Sequence, residues 1–121
     1  MQYMALIYSD QTEWADLTTE EREGMYARYR AFAKEASDAG VMDGGNELGP
    51  TRDATTVRVR GDETLVTDGP YAEVKEALGG YFLLECETIV EAIDWAARIP
   101  GAEHGAVEVR PVYVDPAGAA A

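Results

Sequence analysis

The chain is 121 residues long, 46% apolar and 27% charged, values expected of one soluble domain able to build a core. Ten Lys+Arg against 23 Asp+Glu give a formal charge of −13, a field that repels phosphate backbones and anionic lipid and argues against nucleic-acid or membrane-surface partners. No stretch approaches the ~18 apolar residues needed to span a bilayer.

In chain order, Tyr3-Met4-Ala5-Leu6-Ile7-Tyr8 predicts a strand that is apolar on both faces rather than alternating. After a polar turn, Thr18-Thr19-Glu20-Glu21 forms a capping box that opens a helix over 19–39. Met25, Tyr29, Phe32, Ala36 and Ala39 recur on one face of that helix, and Gly40 ends it. Val41 to Leu48 predicts a second strand, in which Gly44-Gly45 marks a bulge or a close backbone approach. Thr56-Val57-Arg58-Val59-Arg60 alternates cleanly, Gly61-Asp62-Glu63 turns, and Thr64-Leu65-Val66-Thr67 returns as its hairpin partner.

Asp68-Gly69-Pro70 then breaks into a loop reaching Leu78, and Gly79-Gly80 opens a strand Tyr81-Phe82-Leu83-Leu84-Glu85-Cys86, greasy on both faces. Thr88-Ile89-Val90-Glu91 is a second capping box, with Ile89, Ala92, Ile93, Ala96 and Ala97 as the apolar face and Pro100-Gly101 as the stop. The last strand, Ala106-Val107-Glu108-Val109-Arg110, alternates up to Pro111. The domain is expected over 1–115, and 116–121 is a flexible tail with little to bury.

The order β-α-β-(β-β)-β-α-β predicts the α+β class, as a ferredoxin-like βαββαβ frame carrying one extra β-hairpin. In that frame the first and third framework strands are central. Two helices cover only one face of the sheet, yet both central strands are apolar on both faces. At roughly 25 cal/mol per Å² of apolar area, leaving that face wet forfeits several kcal/mol. Either a second copy covers it, giving an isologous homodimer, or the extra hairpin folds back over it.

The segment Asp68-Gly69-Pro70-Tyr71-Ala72-Glu73-Val74-Lys75-Glu76, followed by Leu78-Gly79-Gly80-Tyr81-Phe82, resembles the YCII-related family, in particular the branch named for its Asp-Gly-Pro-Phe motif. The likeness runs from Tyr3-Met4 to Val107-Glu108-Val109-Arg110-Pro111-Val112, and Tyr71 stands where the branch usually has Phe. The resemblance implies a dimeric α/β barrel with a cleft between sheet and dimer mate. Some relatives use a His–Asp pair for lyase or dehydrochlorinase chemistry, with the His on the first helix. Residues 19–39 contain no His, so that mechanism does not carry over. The branch also implies a link to alternative sigma factors, and hence a sigma-factor-related protein as a partner.

Asp68, where a strand meets a sharp turn, is the candidate general base; an Asx-type turn bonded to nearby amides is the competing structural reading. Tyr8, Tyr71 and Tyr81 suit the lining of a cleft for a small aromatic or phenolic ligand, and equally a buried interface. Lys75 and Arg110 are candidate anion clamps, against a solvated charge run for Lys75 and pairing with Glu108 for Arg110.

His104 lies in a turn-like setting with no orienting partner in the sequence, and Cys86 reads as core. A lone cysteine excludes an intrachain disulfide framework and suits a reducing cytoplasm, while a lone histidine leaves no metal cluster with zinc spacing. No cofactor motif is present, since neither Gly-Gly pair belongs to a phosphate-cradling signature. Two functions follow as expectations: a small-molecule site with acid–base lyase or isomerase chemistry in the dimer cleft, or a regulatory interaction module with an acidic surface.

Overall fold

A computed structural model describes residues 1–118. Strand β1 (Gln2–Ser9) leads through a one-turn helix α1 (Gln11–Ala15) into the long helix α2 (Thr19–Asp38), followed by β2 (Met42–Glu47). The β3 (Thr55–Arg60) and β4 (Glu63–Asp68) hairpin comes next, and then β5 (Ala77–Glu85), α3 (Ile89–Ala96) and β6 (Ala106–Pro111). The capping box of α2 forms in full: the Glu21 amide donates to Thr18 Oγ1 at 3.1 Å and the Thr18 amide to Glu21 Oε1 at 2.9 Å. Gly40 takes φ +73° just past the helix, a conformation that strains any residue with a Cβ.

The main sheet is antiparallel in the order β2-β5-β1-β6, so the two strands that are apolar on both faces are its centre. Cross-strand partners share a face. Tyr3, Ala5 and Ile7 oppose Leu84, Phe82 and Gly80 on one side and Pro111, Val109 and Val107 on the other, and this face meets the helices. Phe32 and Ala36 of α2, Ala92 and Ala96 of α3, and Ile99 complete the core. The Phe32 ring lies 5.1 Å from Phe82 and 6.3 Å from Trp95, within the range of favourable aromatic pairs. Among the described residues, Leu84 and Ile99 are the largest side chains buried outright.

Both glycine readings for β2 hold. The pairing shifts register between Met42 and Gly44, and a Cβ on Gly45 would lie 2.6 Å from the Tyr81 carbonyl oxygen. Elsewhere the chain departs from expectation. The polar turn after β1 contains α1, because Asp10 caps it by accepting from the Thr12 amide at 2.9 Å. The strand placed at 81–86 starts earlier, at Ala77, and carries Gly79 and Gly80 within it. Its pairing with β1 shifts between Ile7 and Tyr8, where Gly79 is passed over and Tyr8 pairs with Leu78.

The second capping box is only half formed. Glu91 donates its amide to Thr88 Oγ1, but its carboxylate reaches past Thr88 to the Glu87 amide at 2.8 Å. The buried stripe of α3 is also narrower than expected: Ala92 and Ala96 are buried, whereas Ile89 and Ile93 are exposed and Ala97 is the exposed C-cap. Of the segment 116–121, residues 119–121 lie outside the described residues; Ala117 and Gly118 donate their amides to Asp115.

The face of the sheet away from the helices carries Met4 and Leu6 of β1 opposite Leu83 and Tyr81 of β5. These side chains are half-buried by one another and stand outside the core. The hairpin does not roof them: each of its strands packs extensively only on the other.

Candidate functional site

The candidate residues fall into two groups. Tyr8, Tyr81 and Arg110 lie on the open sheet face, each fixed by register: Tyr81 opposes Leu6, Arg110 opposes Met4, and Tyr8 follows Met4 and Leu6 in the alternation of β1. The Tyr8 hydroxyl donates to Glu108 Oε1 at 3.0 Å and the Tyr81 hydroxyl to Asn46 Oδ1 at 2.9 Å. Burial, and then the Glu108 carboxylate, raise the Tyr8 phenol above its ordinary value, with Arg110 opposing, so Tyr8 remains a proton donor at neutral pH. Glu108 is held by Tyr8 rather than by Arg110, and Arg110 makes no ion pair among the described residues. A polar edge with one uncommitted guanidinium therefore borders the apolar patch Met4–Leu6–Leu83.

Asp68, Tyr71 and Lys75 form the second group, on the hairpin and the loop after it, and all three are exposed. Asp68 is the last residue of β4, opposite Thr55. The turn beyond it is closed by backbone and by Thr56: the Gly69 amide donates to the Ala54 carbonyl, and Thr56 Oγ1 to the Gly69 carbonyl, both at 2.8 Å. The Asp68 carboxylate accepts no hydrogen bond from the described residues, so the Asx turn is absent and the side chain is left to solvent. Tyr71 lies under the Arg58 guanidinium, 4.9 Å from ring centre to cation. Lys75 faces Asp10, whose carboxyl is lowered first by the Thr12 hydroxyl, then by the Thr12 amide, and further by the Lys75 charge.

A cavity of about 310 Å³ opens beside this second group, lined by Thr51, Arg52, Gly69, Pro70 and the loop residues Ala72 to Val74. It lies where the hairpin root, the Asp-Gly-Pro turn and the segment before β3 meet. Arg52 is its cation and Glu73 its anion. Sequence reasoning missed Arg52, because Gly49-Pro50-Thr51-Arg52 has no periodicity to place it; its neighbour Thr51 is anchored by Gln11, whose Oε1 accepts from both the amide and the hydroxyl of Thr51 at 3.0 Å.

A second cavity, about 210 Å³, sits on the helix layer between α2 and the turn after α3, bordered by Phe32 and Pro100. Its two arginines are already committed, Arg28 to Glu103 and Arg98 to Glu35. His104 is exposed, 3.9 Å from its chain neighbour Glu103, and Cys86 is buried in the core. Among the described residues, no three His, Cys, Asp or Glu side chains converge as metal ligands, and no helix is long and apolar enough to cross a membrane.

The YCII-related domain model matches residues 1–114, from β1 through β6. The chain belongs to the YCII-related family. An uncharacterized protein of Rhizobium meliloti (strain 1021), R00369, is 36% identical over 114 residues, covering 93% of this chain and 92% of the relative. In this YCII-related protein the loop that follows Asp68 lines the larger cavity through Gly69, Pro70 and Ala72 to Val74, and Met4, Leu6 and Leu83 lie on the sheet face opposite the helices.

Proposed function

We propose that this YCII-related protein, of the Asp-Gly-Pro-Phe branch, is a cytoplasmic homodimer that binds a small carboxylate or polar aromatic ligand beside Asp68. The four-stranded sheet is then a ferredoxin-like frame, paired through its open face with a second copy as a dimeric α/β barrel. The observation that carries the ligand reading is the cavity of about 310 Å³ directly after Asp68, at the lower end of the size range of small-molecule sites. Arg52 offers a fork of donors to a carboxylate. Asp68, free of any local hydrogen bond, serves as the general base; acid–base elimination or isomerisation fits such a pair better than phosphoryl or hydride transfer. Tyr8, Tyr81 and Arg110 edge the paired faces as ligand contacts, with Tyr71 and Lys75 on the loop at the cavity mouth.

Thermal shift with benzoate, 4-hydroxybenzoate and related aromatic carboxylates tests this reading. At least one should raise the melting temperature of the natural protein, and Asp68→Asn and Arg52→Ala should reduce that rise. No stabilisation by any compound, or an identical response from both variants, removes the site.

A further inference from the structure

We propose that Gln11 is a positioning residue: its side chain straps the hairpin lobe, residues 49–76, to the four-stranded body and thereby sets where Arg52 stands in the larger cavity. The lobe leaves the body after Leu48, whose amide donates to the Gly79 carbonyl at 2.9 Å, and the chain returns at Ala77, paired with Ser9. Exit and return therefore lie side by side on β5, the arrangement of a hinge. Each hairpin strand packs extensively only on the other.

Among the described residues, no backbone hydrogen bond and no ion pair joins 49–76 to the rest of the chain. The hydrogen bonds that do cross are the two that Thr51 donates to Gln11 Oε1, from its amide and its hydroxyl, both at 3.0 Å. Thr51 opens the 3-10 turn Thr51–Asp53, and Pro50 before it supplies no side-chain cap. Its amide is one that a helix start leaves without a partner, and Gln11 fills that place from a distant part of the chain. Gln11 is itself held firmly. Ser9 closes β1, Asp10 caps α1 by accepting from the Thr12 amide and hydroxyl at 2.9 and 2.7 Å, and Gln11 is the first residue of α1.

The strap bears on the cavity because every residue lining it lies between Thr51 and Val74. Thr51 is one wall, and Arg52 is the next residue of the same turn. The Arg52 side chain makes no hydrogen bond or ion pair among the described residues, so the backbone of that turn sets where its guanidinium projects. On the far side the turn is tied to the Asp-Gly-Pro wall, where the Gly69 amide donates to the Ala54 carbonyl. Lys75 adds only the longer-range pull of its charge on Asp10. Gln11 thus acts through Thr51 on a cation that it does not itself hold, and a side chain supported in this way keeps its geometry better than one on a free loop. What Arg52 binds rests on the ligand reading above; the strap does not.

The test compares the natural protein, Gln11→Leu, which has no acceptor, and Gln11→Glu, which keeps an oxygen there, by amide exchange and side-chain NMR. Far-UV circular dichroism is the folding control. In Gln11→Leu the Thr51 amide should exchange about tenfold faster and the Arg52 Nε–H signal should shift, while the β1 and β6 amides stay as they were. Gln11→Glu should restore both. Where benzoate binds the natural protein, Gln11→Leu should weaken it about as far as Arg52→Ala does. If Gln11→Leu does not fold, Thr51→Val decides: it removes one of the two donated bonds and should give a smaller shift of the Arg52 signal. Unchanged Thr51 exchange or Arg52 signals in Gln11→Leu, loss of protection spread evenly over the sheet, failure of Gln11→Glu to restore, or an unmoved Arg52 signal in Thr51→Val overturns the strap. Benzoate bound equally by Gln11→Leu and the natural protein also overturns it. If the natural protein binds no aromatic carboxylate, the ligand reading falls, and the exchange and Arg52 signals alone decide the strap.

Discussion

Arg28 on α2 grips Glu103, in the turn after α3, with both ends of its guanidinium, at 2.6 and 3.1 Å. The pair ties the long helix to the segment that leads into β6. Its carboxylate is held below the ordinary glutamate value, first by the Arg28 hydrogen bonds and then by the Arg28 charge. A depressed carboxylate contributes stability that is complete above its unfolded value and is lost as pH falls through its folded value. The urea midpoint of Arg28→Ala should therefore lie below that of the natural protein at neutral pH, and the gap should narrow as the pH falls below the ordinary glutamate range and through the lowered Glu103 value. Both groups are exposed, so the gap at neutral pH will be small.

Phe32 is the aromatic centre of the helix–sheet interface, 4% exposed and flanked by Phe82 and Trp95. Phe32→Ala should cost about 3–5 kcal/mol in denaturant unfolding. That is a large part of the ~5–15 kcal/mol typical of a whole domain. Retention of nearly full stability would mean that the core is centred elsewhere.

Gly45 has no room for a side chain, since an added Cβ would fall 2.6 Å from the Tyr81 carbonyl oxygen and against the Phe82 ring. Gly45→Ala should lose about 1–3 kcal/mol and shift the amide signals of β2 and β5. A substitution at Gly24, with nothing within 4 Å of its added Cβ, should be neutral or slightly stabilising through helix propensity.

Thr18 caps α2 through its hydroxyl, and the Glu21 carboxylate, lowered first by the hydrogen bond it accepts from the Thr18 amide, completes the box. Thr18→Ala removes the hydroxyl and should cost about 1 kcal/mol. Thr18→Ser should restore most of it.

Much of the fold was legible because its signals are local. The Thr18–Glu21 box, Gly40 and the alternation of Thr56 to Arg60 each fix an element from a few residues. The two-faced greasiness of Tyr3–Tyr8 and Tyr81–Leu84 placed both strands at the sheet centre, where they are found. The errors arose where tertiary contact overrides pattern. Ile89 and Ile93 have helical spacing with Ala92 and Ala96, yet the close approach of α3 to the sheet is made by the alanines, and the larger side chains are left outside. Gly79 and Gly80 look like a strand opening but lie within β5, paired to β1 and β2. The candidate site was legible in part. The Asp68 turn stands beside a cavity, but Arg52 and the division of the candidate residues between hairpin loop and sheet depend on long-range packing that no spacing encodes.

Leu83 stands directly across from Met4 on the uncovered sheet face, and the proposed homodimer depends on that face. Sedimentation equilibrium of the natural protein and of Leu83→Arg, at low micromolar concentration, measures this most directly. The account predicts a dimer for the natural sequence and a folded monomer for the variant. A natural protein that sediments as a well-folded monomer would contradict it.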